Sequence, residues 1–143
     1  MNLGLRLAVP LAAMFLLGAC ASQSASNAVN LMNQELIQSG SPYRWQTEQV
    51  SGGTAMTKLL IGTPGNTAAD EVLQRDIISQ LAAVDASGVA SSDRPKEIRI
   101  ISRTDVAAEE VWVFDGGEKD LVFVIILHSS DAGGTDIKGT GPW

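Results

Sequence analysis

The sequence predicts an α+β domain: an antiparallel sheet of about five strands with a helix packed on one face, in the order α-β-β-α-β-β-β. Three observations lead there. Residues 67–84 carry Leu73, Ile77, Leu81 and Val84 at helical spacing, a stripe widened by Ile78. Residues 43–50, YRWQTEQV, instead alternate, with Tyr43, Trp45 and Thr47 on one side and Arg44, Gln46 and Glu48 on the other. Residues 121–128, LVFVIILH, are apolar on both faces, as in a central strand covered from two sides.

The elements follow in order. Residues 28–38 read as a first helix, with Val29, Met32 and Leu36 on one face and Leu31 beside them. Ser26 or Asn27 is placed to cap its start and Gly40 to end it. The alternating strand at 43–50 runs into SGG, a turn, and TAMTKLLIG forms the second arm of a hairpin. GTPGN then breaks the chain. Thr67 is placed to cap the main helix, and Asp70 and Glu71 lie near the end where the helix dipole favours negative charge. Strands are expected at 97–102, 110–114 and 121–128, the last two joined by the turn DGGEKD. Trp45 reads as a core residue, and Trp112, between valines, as half-buried. The turn-rich end supplies a short edge strand at 135–138.

The chain has 143 residues, 16 of them acidic and 10 basic, for a formal charge of −6. Acidity disfavours nucleic acid, whose binding rests on basic contacts to phosphate. It suits a basic protein partner, because opposite fields speed association.

The N-terminus has its own logic. Arg6 precedes an apolar run over residues 7–17 that also contains Pro10. A membrane-spanning helix needs roughly twenty apolar residues, so this run is a secretory signal, not a span. It ends in Leu17-Gly18-Ala19-Cys20, and Cys20 is the single cysteine of the chain. These residues resemble the lipobox of bacterial lipoproteins. The resemblance implies cleavage before Cys20, two acyl chains on its sulfur and a third on its new amino group. Two or more chains hold a protein stably on a membrane. Ala21 after the cysteine implies sorting to the outer membrane, with the domain facing the periplasm. Residues 1–19 are then signal, 20–27 the lipidated cysteine and a flexible tether of about 15 Å reach, and 28–143 one domain. Cleavage removes Arg6 alone among the charges, leaving nine basic and 16 acidic residues, a formal −7. A lipidated Cys20 leaves the domain no thiol for a disulfide. A helix followed by a three-strand meander is similar in topology to cystatin-like and other small envelope-lipoprotein domains, and topology does not fix function.

Candidate chemistry is sparse. His128-Ser129-Ser130-Asp131 sets the single histidine beside two serines and an aspartate. A hydrolase triad needs such groups converging in space, whereas neighbours along a strand point to opposite faces. One histidine does not make a zinc site. Asp131 and Asp136 flank a Gly-Gly turn, and Asp115, Glu118 and Asp120 cluster around Lys119, but neither set has calcium-loop spacing. Both read as solvated turns, and no metal or cofactor is expected. Gly-Gly-Thr occurs at 52–54 and 133–135, each time as a turn entering a strand.

The leading functional expectation is a non-enzymatic, lipid-anchored module of the outer membrane that binds another envelope protein. Asp131, Asp136 and Trp143 are its candidate contacts, joining charge, adaptable backbone and an aromatic near the C-terminus. The alternatives are an inhibitor or immunity protein against a basic wall-degrading enzyme, and a small hydrolase using Ser129 or Ser130. The anchor is directly testable. Cys20→Ala is expected to abolish metabolic labelling with palmitate and to leave the chain uncut or released. Persistent labelling of the variant would exclude the lipobox.

Overall fold

The computed structural model describes the backbone from residue 13 to 143 and the side chains from residue 23 onward. Residues 1–12 of the expected signal segment and the Cys20 side chain lie outside the described residues. The elements are α1 (Ala13–Gln38), β1 (Tyr43–Val50), β2 (Gly53–Leu60), β3 (Thr63–Pro64), α2 (Glu71–Ala82), a single 3₁₀ turn (Asp85–Ser87), β4 (Glu97–Arg103), β5 (Ala107–Asp115), β6 (Asp120–Ser129) and β7 (Thr135–Thr140). The fold is α+β with antiparallel sheets, as expected. Its five-stranded sheet has the order β3-β4-β5-β6-β7, and β1 and β2 form a separate two-stranded sheet.

Helix α1 begins well before residue 28. Residues 21–27, expected as a tether, continue the helix without a break. They include no Gly or Pro, and Ser, Gln and Asn each cost under about 0.7 kcal/mol relative to Ala. Extending an existing helix is easier than nucleating a new one. From Cys20 to Ala28 the helical rise is therefore about 12 Å. The helix stops where expected. Gly40 takes φ 72°, its amide bonds to Ile37 O and the Ser41 amide to Leu36 O at 2.9 Å, the two bonds of a Schellman stop.

The hairpin β1–β2 is held to α1 by one side chain. Asn33 Oδ1 accepts from the Trp45 amide at 2.7 Å, and Asn33 Nδ2 donates to the Trp45 carbonyl at 2.9 Å. The amide thus pairs with the edge of β1 that faces away from β2, as a strand would. Beyond its base the hairpin is exposed on both faces, Val50, Met56 and Leu59 included.

The five-stranded sheet is covered on two sides. Strand alternation puts Trp112 and Phe114 of β5 with Phe123, Ile125 and Leu127 of β6 on one face, and there they meet Ile77, Ile78 and Leu81 of α2. Each such aliphatic side chain contributes about 1.5–3 kcal/mol on full burial. Phe114 and Phe123 pack edge to face at 5.9 Å. Trp112, expected as half-buried, has no solvent exposure. The opposite face carries Val111, Val113 and Val122, covered by Tyr43, Leu60 and Ile61 from the base of the hairpin and by Ile101. Arg99 clamps this second layer. It donates to the carbonyls of Ile61 at 3.0 Å and Gly62 at 2.8 Å, and to Glu97 at 2.7 Å.

Helix α2 differs from expectation at both ends. Its cap is Asp70, whose carboxylate accepts from the Leu73 amide at 2.8 Å, and not Thr67. The helix ends at Ala82, so the stripe does not extend to Val84, which is 57% exposed. Within the helix the stripe is as read, with Ile77 and Ile78 each 1% exposed. Ile77→Asp would bury an unpaired carboxylate at a cost of several kcal/mol. Since a domain's total stability is only about 5–15 kcal/mol, the variant is expected to unfold or to melt far below wild type. A thermal melt within a few degrees of wild type would show that α2 does not pack through this face.

Candidate functional site

Asp131, Asp136 and Trp143 are distributed along β7 and its flanks. Asp131 is exposed in the turn between β6 and β7, where the Ser130 amide bonds to Gly134 O and the Gly133 amide to Ser130 O. Asp136 is exposed on β7, directly opposite His128. After β7 the chain continues along the same edge, and the Trp143 amide bonds to Val122 O at 3.0 Å. Gly141 makes this close approach possible. It takes φ 138°, and a Cβ there would lie 2.6 Å from Val122 O. Ser129 and Val122 are seven positions apart on β6, about 24 Å at strand rise. Asp131 and Trp143 therefore stand at opposite ends of one edge, with Asp136 between them, and do not converge. Trp143 is 36% exposed.

The His128-Ser129-Ser130-Asp131 group is also separated. His128 and Ser129 are consecutive in β6 and so point to opposite faces. His128 shares its face with Asp136, and Ser129 shares the α2 face with Thr135. Both Gly-Gly-Thr stretches are turns entering strands, β2 in one case and β7 in the other.

The most highly organised polar group in the fold is Glu110, which sequence reasoning passed over. It is fully buried on the α2 face of β5. Each of its oxygens receives two donors. Oε1 accepts from the Ala68 amide at 2.7 Å and from Arg103 Nη2 at 3.1 Å. Oε2 accepts from Thr67 Oγ1 at 2.7 Å and from the indole Nε1 of Trp112 at 2.8 Å. A bulge at Ile100–Ser102 makes the arginine contact possible. Without the extra residue Arg103 would oppose Ala107 and point to the other face. With it, Arg103 opposes Ala108 and turns towards Glu110. Arg103 Nη2 also reaches Asn66 O at 2.7 Å, so the loop before α2 is tied to the sheet twice over.

A depression of about 180 Å³ opens beside this network, lined by Leu73, Arg103, Asp105, Val106, Leu127 and Ser129 among others. Its one cation, Arg103, is already neutralised by Glu110. At the far end of the sheet Lys96 and Asp120 pair at 2.6 Å on the surface, which raises the pKa of Lys96 through the hydrogen bond to Asp120. Partial burial raises the pKa of Tyr43, and the charge of Asp120 adds to the effect. The ammonium of Lys58 lies 4.6 Å from the centre of the Tyr43 ring.

Glu110 has a measurable role. Removing one member of a buried ionic network costs about 3–5 kcal/mol. Glu110→Gln keeps the shape but presents an amide donor to a site already filled with donors. Chemical denaturation is expected to show a loss of that order, with the m-value unchanged. A loss below about 1 kcal/mol, the worth of a single ordinary hydrogen bond, would show that the network does not hold α2 on the sheet.

Compared with known proteins, the chain matches no family model, no curated protein and no solved structure.

Proposed function

We propose that this protein is a non-enzymatic lipoprotein, anchored through Cys20 in the outer membrane and facing the periplasm, that holds another envelope protein against its C-terminal strand. The observation that carries the reading is the position of β7. It is the terminal strand of the five-stranded sheet, with one hydrogen-bonding edge that faces no other strand among the described residues. A partner segment can add to such an edge through main-chain hydrogen bonds. Asp131, Asp136 and Trp143 lie along it, spaced to be read by an extended partner and not by a compact ligand. Asp136 and Lys138 place charge on the edge, which opposes indiscriminate pairing with other exposed strands.

The anchor supports this arrangement. Among the described residues no helix is long and apolar enough to cross a membrane, so attachment falls to Cys20. The helical course of residues 21–27 makes the connection a short rod in place of a coil. The acidity of the chain and the exposure of both aspartates favour a basic partner, and a wall-degrading enzyme under inhibition is the second reading they support.

The test must separate binding from edge protection, because the tail also covers β6. Trp143→Ala combined with Asp131→Asn and Asp136→Asn leaves the backbone pairing intact. The variant is expected to keep its melting temperature and to lose its partner in pull-downs from solubilised envelopes, since truncating an aromatic anchor costs about 2 kcal/mol or more. Steep salt dependence of capture, with inhibition of a lytic enzyme by the wild type alone, would favour the inhibitor reading. Unaltered capture of every partner by the triple variant would exclude β7 as the contact surface.

A further inference from the structure

Besides the depression at Arg103, a second concavity lies between α2 and the loop that precedes β4. It encloses about 320 Å³ and is lined by Glu71, Gln74, Arg75, Ile78 and Arg94. Its two arginines differ from the others that bear on the sheet. Arg99 and Arg103 are each paired with a carboxylate, whereas Arg75 and Arg94 make no ion pair among the described residues. In a chain with 16 acidic and 10 basic residues, two guanidinium groups without an ion pair, set against the single carboxylate of Glu71, give this cleft a net positive lining.

Their remaining donors are free for a ligand. Arg94 spends Nη1 on the carbonyls of Asp93, at 2.7 Å, and Ser92, which orients the group and leaves Nε and Nη2. Arg75 spends only Nε, in a long 3.4 Å contact with Glu71 O, and keeps both terminal nitrogens. The loop carrying Arg94 is braced, because Asp93 accepts from the Ala90 amide at 2.8 Å and its own amide returns to Ala90 O. Gln74 has its amide nitrogen committed to Ala69 O, and buried Ile78 lines the cleft beside it. A guanidinium fork matches oxyanions in paired hydrogen bonds, and the acceptor lone pairs of a carboxylate all lie in one plane. A tetrahedral phosphate presents its oxygens in more than one plane and so meets two forks more readily.

We propose that this cleft is a binding site for a phosphate group, gripped by Arg75 and Arg94, with Glu71 as a like charge that limits its affinity. The site is independent of the β7 edge. The phosphate can belong to a soluble ester or to a lipid headgroup, and the chemistry of the grip is the same.

The full chain in detergent is titrated calorimetrically with inorganic phosphate at matched ionic strength, against chloride as control. Saturable binding is expected. Arg75→Gln and Arg94→Gln are each expected to weaken it about tenfold or more, as loss of charge-assisted hydrogen bonds would. Glu71→Gln is expected to tighten it, an opposite sign that a merely structural role does not produce. Lys119→Gln, at an exposed turn elsewhere on the sheet, should leave it unchanged. All four positions are exposed, and unchanged melting curves confirm that the variants fold. Glycerol 3-phosphate and glycerophosphoglycerol then distinguish the sources: capture of the monoester alone assigns a soluble ester, and capture of the diester a lipid headgroup. No saturable phosphate binding, wild-type affinity in either arginine variant, or an equal loss with Lys119→Gln would overturn the site.

Discussion

A carboxylate without solvent contact must have its charge met from within the fold, and Glu110 imposes that demand on every element around it. Four donors converge on two oxygens, and they come from the strand itself, from the neighbouring strand and from the loop before α2. Desolvation makes such a group expensive, so a half-formed network would be worse than an apolar core. The geometry is therefore all or nothing. If β4 lacked its bulge, Arg103 would lie on the wrong face. If residues 66–68 moved, Glu110 would lose Thr67 and Ala68. The helix cap at Asp70 follows three residues after Thr67, so the position of α2 is set at its start by the sheet and not by the helix alone. Trp112 gains as well, since its indole N–H would otherwise be a stranded donor at the centre of the core.

Much of this fold is legible in the sequence because period carries it. The strands at 43–50, 97–103 and 120–129 and the stripe of Ile77, Ile78 and Leu81 answer directly to alternation and helical spacing. Where the reading departs from the structure, a distant residue has intervened. Thr67 is a sound cap by composition, yet its hydroxyl donates to a carboxylate 43 positions away and accepts from the Ala69 amide, ahead of the helix. Val84 continues the stripe in number only, because the helix has already ended. Trp112 is more deeply buried than a strand between valines suggests, because α2 covers its face of the sheet. A signal for Glu110 was nevertheless present. In a strand, positions 110, 112 and 114 share a face, and a glutamate in register with a tryptophan and a phenylalanine is a buried-charge candidate. The donors that satisfy it were not readable, since a one-residue bulge delivers one of them.

Alternation identifies strands but not neighbours. The hairpin of β1 and β2 has a convincing pattern, yet it forms its own sheet, and the edge beside β4 goes to the two residues Thr63 and Pro64. The break expected at GTPGN supplies that strand. Proline tolerates the position because an edge strand can leave one side of its backbone unpaired. The hairpin takes another role and lays Tyr43, Leu60 and Ile61 across the valine face as a second covering layer. Of the candidate contact residues, the sequence placed Asp131, Asp136 and Trp143 in one segment, and only their pairing along β6 reveals that they are strung out along an edge.

The two layers that sandwich the sheet are unequal, and the inequality has a direction. On the α2 side, large aromatic and aliphatic side chains interlock around a satisfied carboxylate, and three residues of α2 alone contribute about 1.5–3 kcal/mol each on burial. On the other side, three valines and a few half-buried partners are reinforced by the bonds of Arg99 to Ile61 and Gly62. Further out, α1 meets the hairpin through the two hydrogen bonds of Asn33, with Val29 the one buried apolar residue among its described side chains. Local stability follows the density of buried contacts, so it falls stepwise from the sheet to the hairpin base to the helix that leads towards Cys20. The proposed membrane anchor at that end would act on the least stable joint first. The five-stranded sheet, with β7 at its edge and the arginine cleft beside α2, would then keep its geometry while the junction of α1 with β1 absorbed movement of the anchor.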